Sequence, residues 1–312
     1  MSSNSREALV SKLRRNSRIP AILAPMYRVT GPELVIAGCK AGMVSAIPTQ
    51  TPRSLAELES WLQTIATGLA SDQNAAEWGV SMVAHSTYTR FEDELALVEI
   101  ARPSFVVTAL GSPRRALDVV HGYGGAVFAD VSSARLARKA ADAGADGLIL
   151  VCGGAGGQTG SANPFAFVEE VRSFFDGVVV LAGAIATGHA VRASEIMGAD
   201  FAYVGTHFIP SSESRASEEH RRAVIEASLD DIVSTSAVTG TPATFTRQSL
   251  ESAGYDLTNG AAAPVDFAAA FDGAPRPRAY AAGHGAGAVD GVRSVAQIVD
   301  ELESEYRTAL AR

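Results

Sequence analysis

Short apolar runs alternate along this chain with longer amphipathic stretches. Eight of the runs are continuously apolar instead of alternating, which is typical of strands buried on both faces of a parallel sheet. They are Ile19–Met26, Met43–Thr49, Trp78–Ala84, Phe105–Leu110, Ala126–Val131, Gly147–Cys152, Val178–Gly183 and Phe201–Thr206. The segments between them have helical periodicity, and glycines such as Gly144 and Gly198 stand where a helix should end before the next strand.

Eight strands, each followed by a helix, are the elements of a (β/α)8 TIM barrel, which is the predicted α/β fold. A doubly wound open sheet is the alternative. The alternation stops after residue 227, where a stretch with little strand signal begins. We therefore expect residues 1–227 and 283–312 to form the barrel, with the amphipathic C-terminal segment returning to its wall. Residues 228–282 are expected to form a helical lid, or cap insert, over the barrel mouth.

Composition narrows the classes of function. The chain has 312 residues, a net charge of -8 and two cysteines, Cys39 and Cys152, without paired spacing. Dispersed basic residues argue against nucleic-acid binding, and the cysteines argue against a disulfide framework or a structural zinc site. The polar N-terminus is unlike a signal peptide, and no apolar run is long enough for a membrane span. A cytoplasmic protein without a membrane or nucleic-acid partner is expected.

The stretch "CGGAGGQTG", residues 152–160, follows the sixth predicted strand and contains five glycines. A plain turn needs one or two glycines, so five indicate close approach of the backbone to a flat ligand. Gly156 and Gly157 precede Gln158, the one long polar side chain of the loop. Cys152 is interpreted as a small buried apolar residue, because no base is evidently paired with it.

Two further loops suggest phosphate binding. Ala182, Gly183 and Ala184 end the seventh predicted strand, and Gly205 and Thr206 end the eighth. Bare backbone N–H groups in such turns bind anions, and the loops after strands seven and eight are the recurring phosphate site of TIM barrels. The alternative is that these glycines only make tight turns. The sequence lacks the P-loop and dinucleotide motifs, which disfavours a nucleoside triphosphate or a standard dinucleotide fold.

Six motifs occur in order from about residue 19 to the C-terminal helix: "PAILAPM", "GVSMVA", "AGGQTG", "LAGAIATG", "VGTHF" followed by "SSES", and "GHGAG". Together they resemble the nitronate monooxygenase, or 2-nitropropane dioxygenase-like, family. The resemblance implies an FMN-dependent TIM barrel without a metal. It places the FMN phosphate at Gly183-Ala184 and Gly205-Thr206, and the flavin ring near Ala24, Pro25, Met26 and the glycine loop.

The chain departs from the family pattern at three positions. Gln158 replaces the histidine that serves as the family's catalytic base, Ser81 stands where asparagine is frequent beside the flavin, and His207 replaces an arginine. An amide cannot accept a proton from a nitroalkane carbon near neutral pH, whereas it can hydrogen-bond a carbonyl. The "GQTG" version resembles a subgroup linked to degradation of acyl-thioester or steroid-type compounds. A carbonyl, enone or acyl-thioester substrate, such as an acyl-CoA, is therefore expected.

Three residues are candidates for catalysis at the strand ends: Gln158, Tyr27 and His85, with Tyr27 and His85 as candidate acids. Nitronate oxygenation and NAD(P)H-dependent quinone reduction remain alternative reactions, the latter with NAD(P)H as electron donor. A non-catalytic flavin- or phosphate-binding barrel is a third alternative. An isomerase or aldolase is disfavoured, because the three lysines, Lys12, Lys40 and Lys139, lie away from strand ends. The Pro-rich segment near residue 275 is expected to pack in the lid or in a homodimer interface.

Overall fold

Eight parallel strands form a closed barrel in the computed structural model, which describes residues 3–257, 261–267, 271 and 278–312. The strands run in chain order around the barrel, and the last pairs with the first through Ala202 and Ala21. They are β1 (Ala21–Leu23), β2 (Val44–Pro48), β3 (Trp78–Val83), β4 (Phe105–Ala109), β5 (Ala126–Val131), β6 (Gly147–Val151), β8 (Val178–Ala182) and β9 (Phe201–Val204). Closure confirms the TIM barrel and excludes the open sheet.

The first strand is shorter than predicted. It covers Ala21–Leu23, whereas the apolar run extends from Ile19 to Met26. Pro20 and Pro25 flank it, and proline cannot donate a backbone hydrogen bond to a neighbouring strand. The chain nevertheless continues beside β9, because the Ala24 N–H donates to the Val204 carbonyl at 2.9 Å.

Helices follow the barrel strands as the periodicity predicts. They are α1 (Ser3–Arg14), α2 (Pro32–Lys40), α3 (Leu55–Ala70), α4 (Phe91–Ala101), α5 (Arg114–Gly122), α6 (Ala134–Asp142), α7 (Pro164–Arg172), α8 (Gly188–Ile196), α9 (Glu218–Ile225), α10 (Arg247–Ser252) and α11 (Val295–Leu310). Side chains of Ser54, Ser133 and Thr187 accept a backbone N–H in the first turns of α3, α6 and α8. Such N-caps typically contribute ~1 kcal/mol each, and they explain why these helices begin where they do.

The inner barrel is filled by alternate residues of the strands. Ile22, Val44, Val107, Ile149 and Val180 belong to this inner cluster and are fully buried. The rings of Phe105 and Phe128 stack inside it, with centroids 5.4 Å apart. The lower part of the barrel is thus a packed core, which leaves the C-terminal end of the strands as the place for a ligand.

The C-terminal helix returns to the barrel wall as expected. Val295, Ile298 and Leu302 of α11 are buried in the outer core cluster that also contains Val191 of α8. The start of α8 lies so close to α11 that the Gly188 N–H donates to the Glu305 carboxylate at 2.7 Å. The C-terminal segment is therefore part of the barrel rather than an appendage.

The insert differs from the expected helical lid because it contains strands. Strands β10 (Ile232–Thr235) and β11 (Ala243–Thr246) form an antiparallel pair, and β11 pairs in turn with β7 (Gly157–Gln158) of the glycine loop. The helix α10 follows directly. These strands have only four residues each, and β11 pairs with a loop that is distant in the sequence. Local sequence therefore gives little signal for them. The expected lid or dimer role of residues 268–270 and 272–277 lies outside the described residues.

Candidate active site

We infer a cavity at the C-terminal end of the barrel from the partial exposure of the inward-facing residues there. The inward-facing residues Ala24, Ala109, Asp130, Val151 and Tyr203 lie at the ends of five different strands. All five are only partly buried, whereas the inward-facing residues one layer below them are fully buried. Exposure at this level means that the strand ends surround space instead of a packed core, as at the active-site face of this fold.

The two predicted phosphate loops are neighbours. Strands β8 and β9 pair side by side, with Ala182 opposite Tyr203, so the turns that follow them start next to each other. Gly183 has a φ of 128° and Ala184 a φ of 58°. Within the described chain, neither the Gly183 nor the Ala184 N–H donates to another residue. Two free amides held in unusual conformations fit the expected contact with an anionic group.

The start of helix α8 is closed to such an anion. Its first residue, Gly188, donates its N–H to the Glu305 carboxylate, and its cap residue Thr187 accepts the Ala190 N–H at 3.1 Å. A carboxylate already occupies the positive end of the helix dipole. In the loop after β8, the expected anion contact is thereby restricted to the turn at Gly183 and Ala184 that precedes the helix.

The ends of β1 and β9 lie side by side, because the two strands pair in parallel up to Leu23 and Val204. A Cβ atom on Gly205 would lie 3.5 Å from the Ala24 Cβ and 3.6 Å from the Met26 Sδ. Pro25 lies between these two residues and is partly buried. The structure thus brings the predicted ring-binding residues Ala24, Pro25 and Met26 to the predicted phosphate-binding residue Gly205.

Three loops meet at Gly156. A Cβ atom there would lie 2.8 Å from the Gly283 nitrogen and 3.1 Å from the Thr206 Oγ1. The Gly283 N–H donates to this same Thr206 Oγ1 at 2.9 Å. The absence of a side chain at Gly156 therefore permits the glycine loop, the loop after β9 and the segment at Gly283 to approach one another.

An imidazole lies against the glycine loop, although not at position 158. The His284 N–H donates to the Gly154 carbonyl at 2.9 Å, and the His284 Nδ1 lies 2.6 Å from where a Cβ on Gly154 would be. Gly154 has a φ of 85°, which favours glycine. The His284 side chain is exposed at this rim.

Gln158 lies at the rim and is exposed. The Gln158 backbone pairs with Ala243 of β11 in the antiparallel sheet, and the Gln158 Nε2 donates to the Thr241 Oγ1 at 3.2 Å. The neighbouring Gly157 has a φ of 68° and provides the bend that starts this short strand. Gln158 therefore connects the glycine loop to the insert, and its amide oxygen has no partner among the described residues.

Tyr27 and His85 lie in an aromatic cluster with the insert. The Tyr27 ring packs edge-on against Phe271 with centroids 4.9 Å apart, and the His85 ring packs in the same way against Phe267. The Thr87 N–H donates to the His85 Nδ1 at 3.2 Å, which leaves the Nε2 as the proton-bearing nitrogen. The two predicted acids are thus on the side of the mouth formed by the loops after β1 and β3.

Ser81 is on β3, opposite Pro48 of β2, and only 7% of its surface is exposed. The structure therefore places Ser81 at the inner wall of the barrel. His207 does not face the cavity in the same way. Burial lowers the pKa of its imidazole, and the charged groups near it are Glu301, Arg293, Glu305 and Asp290 beside or within α11. His207 is thus a neutral histidine of the outer wall and does not supply the charge of the arginine it replaces.

The sequence interpretation missed two polar residues inside the barrel. Asp130 of β5 and Tyr203 of β9 each lie two residues beyond a buried phenylalanine of the inner core, so they face the cavity. The Asp130 Oδ1 and the Tyr203 hydroxyl are shielded from solvent and have no hydrogen-bond partner among the residues that the structure describes. Burial raises the pKa of Asp130 to about 7, and burial together with the Asp130 charge raises the pKa of Tyr203. An aspartate within the apolar run "AVFADV" was the available signal.

The described part of the chain offers no evident cysteine nucleophile, metal site or Schiff-base lysine at the barrel mouth. Cys152 is 1% exposed, and burial raises the pKa of its thiol to about 12, so it is not a nucleophile at neutral pH. No group of three metal-ligating side chains occurs there. Lys12, Lys40 and Lys139 lie on helices, which leaves no lysine for a Schiff base at the mouth. Nor do the described helices include one with the length and apolarity needed to cross a membrane.

Comparison with known proteins gives the chain its family. Residues 18–305 match the family model described as nitronate monooxygenase. A relative from Mycobacterium tuberculosis, (3aS,4S,5R,7aS)-5-hydroxy-7a-methyl-1-oxo-octahydro-1H-indene-4-carboxyl-CoA dehydrogenase, is 29% identical over 237 residues. That match covers 74% of this chain and 64% of the relative, so the chain matches less than two thirds of the relative's length.

Two solved structures share the fold. FabK from Thermotoga maritima has a TM-score of 0.79 and 23% identity, with 97% of this chain and 96% of FabK covered. Nitroalkane oxidase from Streptomyces ansochromogenes has the same TM-score and 21% identity, with 97% and 99% covered. Since the family model spans nearly the whole barrel and the motifs lie at its mouth, the chain belongs to the nitronate monooxygenase family of oxidoreductases.

Proposed function

We propose that this chain is an FMN-dependent oxidoreductase that acts on a carbonyl, enone or acyl-thioester substrate rather than on a nitronate. The proposal depends on the residue at position 158 of the rim. Gln158 has an amide where the family has its catalytic histidine. The Gln158 amide oxygen has no partner in the described part of the chain, and its Nε2 donates to the Thr241 hydroxyl. Such a group orients a substrate by hydrogen bonds but does not abstract a proton from carbon.

The residues at the mouth fit FMN. The free amides of Gly183 and Ala184, next to Gly205 and Thr206, suit its phosphate. Ala24, Pro25 and Met26 offer a small, partly buried surface beside Gly205 for the ring. When bound, FMN supplies two-electron chemistry. The protein residues would hold it, exclude water and orient the substrate.

Two kinds of relative favour a thioester or enone. The Mycobacterium tuberculosis relative is named as a dehydrogenase of a carboxyl-CoA compound, and a further solved structure with a TM-score of 0.73 is an enoyl reductase domain. Both names describe chemistry beside a carbonyl. The second candidate function is nitronate oxidation, which the family name favours. Quinone reduction with NAD(P)H is a further alternative reaction of the same site.

We propose that the chain divides into a barrel, residues 1–227 and 283–312, and an insert, residues 228–282. The insert is proposed to act as a lid over the barrel mouth. Its strand β11 pairs with the glycine loop at Gln158, and Phe267 and Phe271 pack on His85 and Tyr27. The insert thereby touches all three proposed catalytic residues. Closing a site with such a segment excludes water from the reaction.

The direct test is a purification followed by absorbance spectroscopy and identification of the released cofactor. FMN-loaded protein is then mixed anaerobically with NADH or NADPH, and separately with acyl-CoA thioesters, enones, quinones and nitronates. We expect bleaching of the flavin bands or turnover with a thioester or enone. Protein that stays colourless after incubation with excess FMN would refute the cofactor assignment. Turnover restricted to nitronates would refute the substrate class.

Gln158→His should give a gain of function with nitronates. An imidazole at this position restores a base with a pKa near neutrality, and general bases contribute roughly 100-fold or more to such proton transfers. We expect kcat/KM for nitronate oxidation to rise at least about tenfold, measured as oxygen consumption. Gln158→Ala is the control, since it removes the amide without adding a base. An equal rise in both variants would contradict the role assigned to position 158.

A further inference from the structure

Asp130 is the one carboxyl group that faces the inside of the barrel on the described strands. Its neighbours on the same face are apolar or small, with Ile149 opposite it on β6 and Ala109 at the end of β4. The Asp130 Oδ1 has no hydrogen-bond partner, yet the residue keeps partial exposure because it reaches the level of the cavity. A carboxyl oxygen that is shielded from solvent and has no partner among the described residues is costly, so its presence at this place indicates a ligand that uses it.

Tyr203 is the second unpaired polar group at the same end of the barrel. Its hydroxyl is shielded from solvent and has no partner, and the Asp130 charge contributes to the raised pKa of its phenol. Tyr203 pairs with Ala182, the residue that precedes the Gly183 turn. The two unsatisfied groups therefore border the same cavity as the proposed phosphate loop.

We propose that Asp130 is the residue that exchanges a proton with the ligand bound in the barrel mouth, and that Tyr203 is a second polar contact of that ligand. In the forward sense the O–H bond of the neutral carboxyl breaks, and its proton forms a new bond to a ligand nitrogen or oxygen that carries a negative charge, which is thereby neutralised. Asp130 is left as the carboxylate, and it regains a proton from the solvent. No other oxidant or reductant takes part in this step.

The electrostatic surroundings suit this role. Burial raises the pKa of Asp130 to about 7, from the ordinary value of 3.8, so both protonation states are populated near neutral pH. Tyr203 is the one titratable group whose coupling to Asp130 the described residues show, and its own pKa is raised, so it stays neutral. An acid with a pKa close to the working pH is the most effective proton donor and acceptor.

The inference rests on the proposed function only in taking FMN as the ligand bound in the cavity.

The test is a pH titration of three FMN-loaded proteins: wild type, Asp130→Asn and Asp118→Asn. It runs from about pH 5 to about pH 9 and records the flavin absorbance and the FMN dissociation constant. Asp118 is exposed on α5 and is the matched control. We expect a spectral transition with a midpoint near 7 in wild type and control, and its loss in Asp130→Asn. A transition that persists unchanged in Asp130→Asn would overturn the proposal.

A second measurement works without a cofactor. An acid whose pKa is raised by folding destabilises the fold as pH rises from 3.8 through about 7, because the folded state must give up a proton that it holds more tightly than the unfolded chain does. Asparagine does not ionise. Asp130→Asn should therefore raise the folding equilibrium constant over wild type by at least about tenfold at pH 8, with little difference near pH 4.

The two measurements separate the two proposals. If no variant binds FMN but the stability difference appears, the flavin assignment fails and Asp130 remains a buried titrating acid for another ligand. If FMN binds and neither the spectral nor the stability difference appears, Asp130 does not exchange a proton there. A stability difference with an unchanged flavin transition reduces Asp130 to a structural residue and overturns the inference.

Discussion

Replacing Glu94 with alanine is expected to lower the free energy of unfolding by about 3–5 kcal/mol. Glu94 is fully buried on α4, and its carboxylate accepts hydrogen bonds from the Thr49 hydroxyl at 2.6 Å and the Tyr88 hydroxyl at 2.5 Å. Arg90 lies 3.2 Å from the same carboxylate. Removing Glu94 leaves two buried hydroxyl groups without their acceptor and the partly buried Arg90 guanidinium without its ion-pair partner. Breaking a buried ion pair by removing one partner is strongly destabilising, because the other group stays desolvated and uncompensated.

The network around Glu94 links the loops that carry the site. Thr49 follows β2 and Tyr88 follows β3, in the loop that also contains His85. Arg90 reaches the backbone as well, since its Nη1 donates to the Pro52 carbonyl at 3.0 Å. The buried carboxylate thus holds two neighbouring mouth loops in one arrangement, and we expect its loss to disorder them along with lowering stability.

Thermal unfolding monitored by circular dichroism measures this effect. For a chain of this size the loss corresponds to a fall of about 5–8 °C in Tm. Glu92→Ala is the control, because Glu92 lies on the same helix with its carboxylate 70% exposed and paired with Arg115 at the surface. A surface pair contributes about 0–1 kcal/mol, so this control should unfold close to wild type. Equal effects of the two substitutions would show that the buried network adds no stability.

The fold could be predicted because its signals are local. The eight apolar runs and the glycines at helix ends locate the strands and helices independently of any long-range contact. The insert was predicted less well, since β10 and β11 exist through pairing with each other and with Gly157–Gln158. A four-residue strand carries too few side chains for its periodicity to be read from the sequence.

The candidate site was predictable where backbone chemistry defines it. Composition alone predicts three glycine-rich turns, and all three lie at the barrel mouth. They are the turns at Gly156, Gly183 and Gly205. Asp130 and Tyr203 were missed, because each is a single polar residue inside an apolar strand, and only the barrel's register shows that both face the cavity. The contact of His284 with Gly154 gave no signal in the sequence, because it joins segments 130 residues apart.

Gly156→Ala is expected to weaken FMN binding by about tenfold to a hundredfold. The added Cβ would lie 2.8 Å from the Gly283 nitrogen and 3.1 Å from the Thr206 Oγ1, so the loop after β9 and the segment at Gly283 must separate. Overpacking of this kind costs ~1–3 kcal/mol, which corresponds to that loss of affinity if the strain falls on the ligand-binding arrangement. Thr206 would then lose its bond from the Gly283 N–H, and the proposed phosphate site would lose its geometry.

A titration of the apoprotein with FMN, followed by quenching of flavin fluorescence, gives the dissociation constant. Gly153→Ala is the matched control in the same loop, because a Cβ on Gly153 meets no atom closer than 3.8 Å. We expect this control to bind FMN as wild type does, with both variants retaining the barrel's circular dichroism. Loss of affinity in both variants would mean that the loop tolerates no side chain at all. Unchanged affinity in Gly156→Ala would mean that the meeting of the three loops is not what holds the ligand.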